Sequence, residues 1–342
     1  MQKIIVTGGA GYIGSHTVVE LYKGGFQPVI IDNFVNSEKS VCQRINKILN
    51  DEIEVLEIDC NDYSELKRKT AELGDISGII HFAAYKAVGE SVKEPLKYYQ
   101  NNLISLINVL RLSVDLQIKN FVFSSSCTVY GQPNSIAVDE SATILPSESP
   151  YGNTKQMGEE IIRDLVRSKS PVKIASLRYF NPIGAHESAL IGELPIGIPN
   201  NLVPFITQTA AGIRKELTIF GDDYPTADGT NIRDYIHVVD LAKAHVKTIE
   251  YLIKTKEECF LDHFNLGTGK GSSVLEVVKT FEKVNGINLN YKIGSRREGD
   301  VAAIYAIVDK ANKKLDWKTE KTLADGLRDA WNWQKTLMDE NN

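Results

Sequence analysis

Lys3-Ile4-Ile5-Val6-Thr7-Gly8-Gly9-Ala10-Gly11-Tyr12-Ile13-Gly14 decides the fold. A short apolar run leads into Gly8, Gly11 and Gly14, spaced three apart, and a helical pattern over Tyr12–Lys23 follows. Those glycines permit a tight turn and let backbone N–H groups approach a pyrophosphate at a helix N-terminus. The next strand candidate, Gln27–Asp32, ends on a carboxylate. Asp32 can accept from a ribose 2′-hydroxyl and would repel a 2′-phosphate. The stretch therefore predicts a dinucleotide-binding βαβ unit with NAD, not NADP, as cofactor.

Further along, strand candidates at 53–58, 76–82, 120–125 and 172–179 alternate with helical patterns at 38–49, 63–73, 91–112 and 151–168. That alternation predicts an α/β chain built on a Rossmann-type doubly wound parallel sheet. After about residue 180 the pattern breaks into loops rich in Gly, Pro and Asn. We expect an NAD-binding domain over 1–180. A smaller mixed α/β substrate-binding domain is expected over 181–342, and whether some of its segments return to the first domain is left open. A second cluster, Gly267-Thr268-Gly269-Lys270-Gly271, lacks P-loop spacing and a matching acid on a following strand. It reads as a tight turn, with Ser272 or Ser273 capping a helix at 274–284.

Composition narrows the function. A formal charge of −5 gives no electrostatic case for nucleic acid, so an anionic ligand needs local cations. Cys42, Cys60, Cys127 and Cys259 are scattered, and the six histidines have no ligand spacing, so no metal is expected. The sequence runs directly into a strand and holds no membrane-length apolar run, which leads us to expect a cytoplasmic protein with no membrane partner.

Two of the 14 tyrosines have a lysine four residues on, Tyr63/Lys67 and Tyr151/Lys155. At that spacing both side chains share one helix face. A free phenol, with a pKa of about 10, is a poor base at neutral pH, and a nearby ammonium favours the phenolate. Tyr63/Lys67 falls on a helix covering the sheet and reads as a surface pair. Tyr151/Lys155 follows the serine run Ser124-Ser125-Ser126, which ends the fifth strand, and ligands of open α/β sheets bind beyond the carboxyl ends of strands. We take Tyr151 as the base, Lys155 as its cationic partner and Ser126 as the hydroxyl that orients a substrate alcohol.

With these motifs the chain resembles the extended short-chain dehydrogenase/reductases that act on nucleotide sugars, and among them the 4-epimerases of UDP-hexoses. Further resemblance lies in Arg178-Tyr179-Phe180-Asn181-Pro182, Arg233-Asp234-Tyr235-Ile236-His237 and Arg296-Arg297-Glu298-Gly299-Asp300. It implies reversible inversion at carbon 4 of UDP-glucose or UDP-galactose through a 4-keto sugar, with NAD retained and homodimers formed. Related 4,6-dehydratases place an Asp-Glu pair where this chain has Cys127 and Thr128, so elimination chemistry is not expected.

The resemblance also implies binding residues. For the cofactor these are Tyr12, Ile13, Asp32, Asn33, Phe34, Val35, Asn36, Ser37, Asp59, Cys60, Phe82, Ala83, Ala84, Tyr85, Lys86, Asn101 and Phe180. Phe82 and Ala83 could equally be core residues. For the substrate they are Asn181, Asn201, Phe220, Arg233, Arg297 and Asp300. Ile304 stands where relatives restricted to glucose and galactose tend to carry tyrosine; isoleucine is intermediate in bulk, and acceptance of N-acetylated sugars stays open. Epimerisation of UDP-glucuronate or a UDP-pentose, and a non-catalytic NAD sensor, stay open as alternatives.

Overall fold

The computed structural model describes residues 1–297 and 300–340; Glu298 and Gly299 of the motif quoted above lie outside the described residues. Seven parallel strands form the central sheet: β1 (Lys3–Thr7), β2 (Gln27–Asp32), β3 (Glu54–Glu57), β4 (Gly78–His81), β5 (Asn120–Ser126), β7 (Lys173–Tyr179) and β12 (Phe260–Leu266). Their order is β12-β7-β5-β4-β1-β2-β3. The order reverses beside β1, and that switch point opens a crevice at the carboxyl ends of β1 and β4.

β1, β4, β5 and β7 are buried almost throughout, as parallel strands covered on both faces must be. On one face lie α1 (Tyr12–Lys23), α2 (Lys39–Leu49) and α8 (Val238–Lys254), which pack Val18, Leu21, Ile45, Leu241 and Ile249 against the sheet. On the other lie α3 (Tyr63–Ala71), α5 (Pro95–Asp115) and α6 (Pro150–Arg167), contributing Leu66, Leu106, Val109 and Ile162. Each such side chain contributes about 1.5–3 kcal/mol when fully buried. Hydrophobic burial thus sets the layers, and the strand ends between them stay open for ligands.

The expected helix over 91–112 is two helices, α4 (Val88–Lys93) and α5, broken at Glu94. Glu94 sits at φ −127° and ψ 59° ahead of Pro95, because a residue before proline is pushed out of the helical region. Proline then suits the first turn of α5. β12 joins the main sheet beside β7, from a stretch of sequence where only short, unplaced elements were expected.

The rest of the chain builds three small sheets. These comprise β6 (Ala137–Val138), β10 (Ile232–Arg233), β13 (Ser272–Ser273) and β15 (Ala303–Ala306); β8 (Asn181–Ile183) with β11 (Tyr235–His237); and β9 (Leu217–Phe220) with β14 (Tyr291–Gly294). Helices α7 (Leu202–Ala210), α9 (Val274–Asn285), α10 (Asp309–Leu315) and α11 (Leu323–Glu340) complete the fold. The second glycine cluster is a turn: buried Asp234 accepts from the Thr268 and Gly269 N–H groups, and Ser273 caps α9 in a capping box. Among the described residues no helix is long and apolar enough to cross a membrane.

Candidate active site

The glycine loop is a close-approach device. A Cβ on Gly14 would stand 2.2 Å from the Gly8 carbonyl oxygen, and one on Gly8, at φ +69°, 2.8 Å from the Ala83 nitrogen. Gly11 begins α1 with no capping side chain, and no acid lies in the first turn, so the N-terminal N–H groups are free for an anion. Asp32, nearly buried, gathers the loops around it, accepting from the Ala10 N–H at 3.0 Å, the Phe34 N–H at 2.9 Å and the Ser37 hydroxyl at 2.9 Å. Asn33 accepts from the Val35 N–H at 3.2 Å, Phe34 takes φ +57°, and Asn36 completes the turn. A glycine cradle followed by an acid at the end of β2 fits a dinucleotide whose ribose keeps its free hydroxyls.

Residues beyond β3 and β4 meet at the same mouth. Asp59 accepts from the Asn61 side chain, which also donates to Asn101 at 3.1 Å. Cys60 is buried, and burial pushes its thiol up to about 12, which makes it inert. The N–H groups of Phe82 and Ala83 face Thr7, and that of Tyr85 donates to Asn102; Ala84 lies between them. Lys86 pairs with Glu193 at 3.1 Å and sits over the Tyr12 ring, whose hydroxyl donates to the Gly184 carbonyl. Ile13 packs partly into the core, and Phe180 is buried among Val129, Tyr130 and Ile304.

The two tyrosine–lysine pairs differ sharply. Tyr63 and Lys67 share the exposed carboxylate of Asp115. Tyr151 and Lys155 instead ride the first turns of α6, started by the Ser149 cap and Pro150. The Lys155 ammonium is buried and donates to the Ser124 carbonyl at 2.7 Å. Burial lowers it to about 8, against a favourable contribution from Glu159. Ser126 ends β5 and accepts from the Thr128 N–H.

Burial pushes Tyr151 up to about 12, offset in part by the Ser126 hydroxyl. The ammonium, engaged with Ser124, lies 5.9 Å from the tyrosine ring.

On the substrate side, Arg233 donates to the Ile232 and Val301 carbonyls at 2.8 Å and pairs with Asp300 at 3.3 Å. Ile304 is its register partner and is buried. Arg233 acts on the Cys127 thiol, which burial nevertheless pushes up to about 11. Cys127 follows Ser126 directly, so Arg233 lies within electrostatic reach of that strand end. Arg297 stacks 4.5 Å over Phe220, forming a separate pair. Asn181 stands at the start of β8, and Asn201 donates to Glu193 at 2.6 Å. Glu193 was not foreseen: it holds Lys86 and Asn201 together, and no local pattern marks it.

The chain matches the family model described as GDP-mannose 4,6 dehydratase over residues 5–330. It is 47% identical to the UDP-glucose 4-epimerase of Haemophilus influenzae, over 97% of each chain. The chain belongs to the UDP-glucose 4-epimerase family. It is also 48% identical to bifunctional protein GAL10 of Pachysolen tannophilus over 97% of this chain, spanning 49% of that protein's length. Its structure resembles that of UDP-glucose-4-epimerase from Stenotrophomonas maltophila with bound NAD and formylated UDP-arabinopyranose (TM-score 0.96, 44% identity, 99% of this chain and 100% of that one).

Within this epimerase family, the name of the matching model does not carry dehydratase chemistry to the site. Cys127 and Thr128 follow Ser126 where an acid pair would be needed, and the Cys127 thiol stays protonated. Among the described residues no group of His, Cys, Asp and Glu could hold a metal ion.

The contrast between the lysines gives a direct test. Lys67→Ala is expected to leave turnover within about twofold, as loss of an exposed pair does. Lys155→Met, at the buried position, is expected to cut turnover on the order of 100-fold or more. Steady-state rates of both variants check this, and equal losses would overturn the assignment.

Proposed function

We propose that this protein interconverts UDP-glucose and UDP-galactose by inverting carbon 4, with NAD held throughout. The observation that carries the reading is Tyr151 within reach of the Ser126 hydroxyl and buried Lys155 bonded to the Ser124 carbonyl of the same strand end, with no carboxylate at 127 or 128. The chemistry that bound NAD supplies is reversible hydride acceptance at carbon 4, so the cycle has no net redox change. Tyr151 accepts the proton of the 4-hydroxyl and later returns it. Ser126 orients that hydroxyl. Lys155 holds positive charge at the base of the site.

The turn at Gly8, Gly11 and Gly14 lets a pyrophosphate approach the first-turn N–H groups of α1, the Gly8 and Gly11 N–H groups themselves being taken by the Ile31 and Gly8 carbonyls, and Asp32 accepts from the adenosine ribose. The loops 33–37 and 82–86, with Asp59, Cys60, Asn101 and Phe180, close around the rest of the cofactor. We assign residues 1–180 mainly to the cofactor and 181–342 mainly to the UDP-sugar. Arg233 and Arg297 meet the diphosphate, since guanidinium forks match phosphate oxygens. Asn181 and Asn201 assist, Phe220 lies beside the uracil, and Asp300 accepts from a ribose hydroxyl. Four unpaired cysteines suit a reducing compartment, and we assign the protein to the cytoplasm.

Two finer readings accompany this one. Isoleucine at 304 has less bulk than tyrosine, which favours room for an acetamido group on the sugar. Exposed Val92, Leu96, Ile107 and Met157 on α4, α5 and α6 form an apolar face suited to a two-fold dimer.

Incubation of the purified protein with UDP-galactose, without added cofactor, is expected to yield UDP-glucose. The same assay of Tyr151→Phe is expected to show turnover lower by about 100-fold or more. Accumulated NADH, a deoxy-keto product or wild-type turnover in the variant would each refute the mechanism. With UDP-N-acetylglucosamine we expect a measurable rate, and no detectable epimer ends the idea of dual specificity. Sedimentation should give a dimer that Leu96→Asp converts to monomer; a monomeric parent would dispose of the interface.

A further inference from the structure

Glu159 stands where four elements meet. It lies one turn beyond Lys155 on α6, with its side chain 4% exposed. Arg178 of β7 grips it through two bonds, Nε to Oε1 at 2.9 Å and Nη2 to Oε2 at 2.6 Å. Ser125 of β5 donates its hydroxyl to Oε1 at 2.6 Å, and His263 Nδ1 of β12 lies 3.8 Å from Oε2. Ser125 stands between Ser124, whose carbonyl takes the Lys155 ammonium, and Ser126. One carboxylate thus fastens the helix bearing Tyr151 and Lys155 to the strand end bearing Ser126.

Packing alone does not call for an ion pair here. An apolar pair of similar volume would join the layers without desolvating two charges. What it would lack is a negative charge one turn from a buried ammonium. The charged groups facing this spot are Lys155, Glu159 and Arg178. Burial lowers His81 of β4 to about 3 and also lowers His263, so both are neutral at neutral pH; Lys310 and Asp262 act on His263 from beyond it. Glu159 favours the charged form of Lys155, opposing the burial that lowers it.

We propose that Glu159 is a positioning residue that keeps Lys155 protonated and in register with Ser126 during turnover. This rests on the epimerase reading of Tyr151 and Lys155, and it adds a residue that touches neither substrate nor cofactor. The sign is fixed: without the negative charge, the ammonium surrenders its proton at lower pH.

The test is the pH profile of kcat in the holoenzyme with UDP-galactose as substrate. Glu159→Gln is expected to move the alkaline limb to lower pH by about one unit, as loss of a close opposite charge does. Glu159→Asp, which keeps the carboxylate, is expected to bring the limb back toward the parent position. A Glu159→Gln enzyme with a lower rate but an unmoved alkaline limb would overturn the proposal and leave Glu159 as a packing residue. Should that variant fail to fold, Glu159→Gln with Arg178→Met removes the unpaired guanidinium and is judged by the same limb. Failure of the epimerase reading itself would show separately, as a parent enzyme that forms no epimer.

Discussion

A buried ammonium must find an acceptor, and Lys155 finds the main-chain carbonyl of Ser124. The site depends on that bond. To make it, α6 has to lie close across the carboxyl end of β5. Gly158 permits the approach, since a Cβ there would come within 2.8 Å of the Phe123 ring. Ser149 and Pro150 begin the helix one residue before Tyr151, so the phenol falls in the first turn, where the sheet ends. The helix start, the glycine and the strand end together leave Tyr151 and Ser126 little choice of position.

Charge is distributed locally, against the sign of the whole chain. A formal charge of −5 would repel a diphosphate at long range, so attraction must come from a few cations at short range. Arg233 is held ready by two carbonyls, neither of which neutralises it, and by one carboxylate 3.3 Å away. Carbonyl anchors fix the plane of the guanidinium, and the Asp300 carboxylate balances part of its charge. Arg297 has an aromatic support instead, the Phe220 ring. In the function proposed above, a rigid cation and a stacked one would share the diphosphate.

The parts of this arrangement that depend on local backbone geometry were legible in the sequence. Glycines three apart, an acid at a strand end and a tyrosine four before a lysine each imply geometry within one turn or one loop. The break before Pro95 was equally local, but the apolar pattern running through it concealed it. The addition of β12 to the sheet was not legible, because strand pairing between 173–179 and 260–266 depends on everything folded between them. The partner of Lys155 was hidden for a different reason: a carbonyl belongs to every residue and has no signature. Glu193 and Glu159 read as ordinary acids until tertiary structure brings Lys86 and Arg178 to them.

The same distinction bears on the tyrosine. Sequence spacing places an ammonium near a phenol, but it does not weigh that proximity against burial. Burial disfavours the phenolate and pushes Tyr151 up to about 12. The Ser126 hydroxyl favours the phenolate and Cys127 opposes it. Under the function proposed above, the positive charge of an oxidised nicotinamide ring beside the phenol would oppose that burial and favour the phenolate.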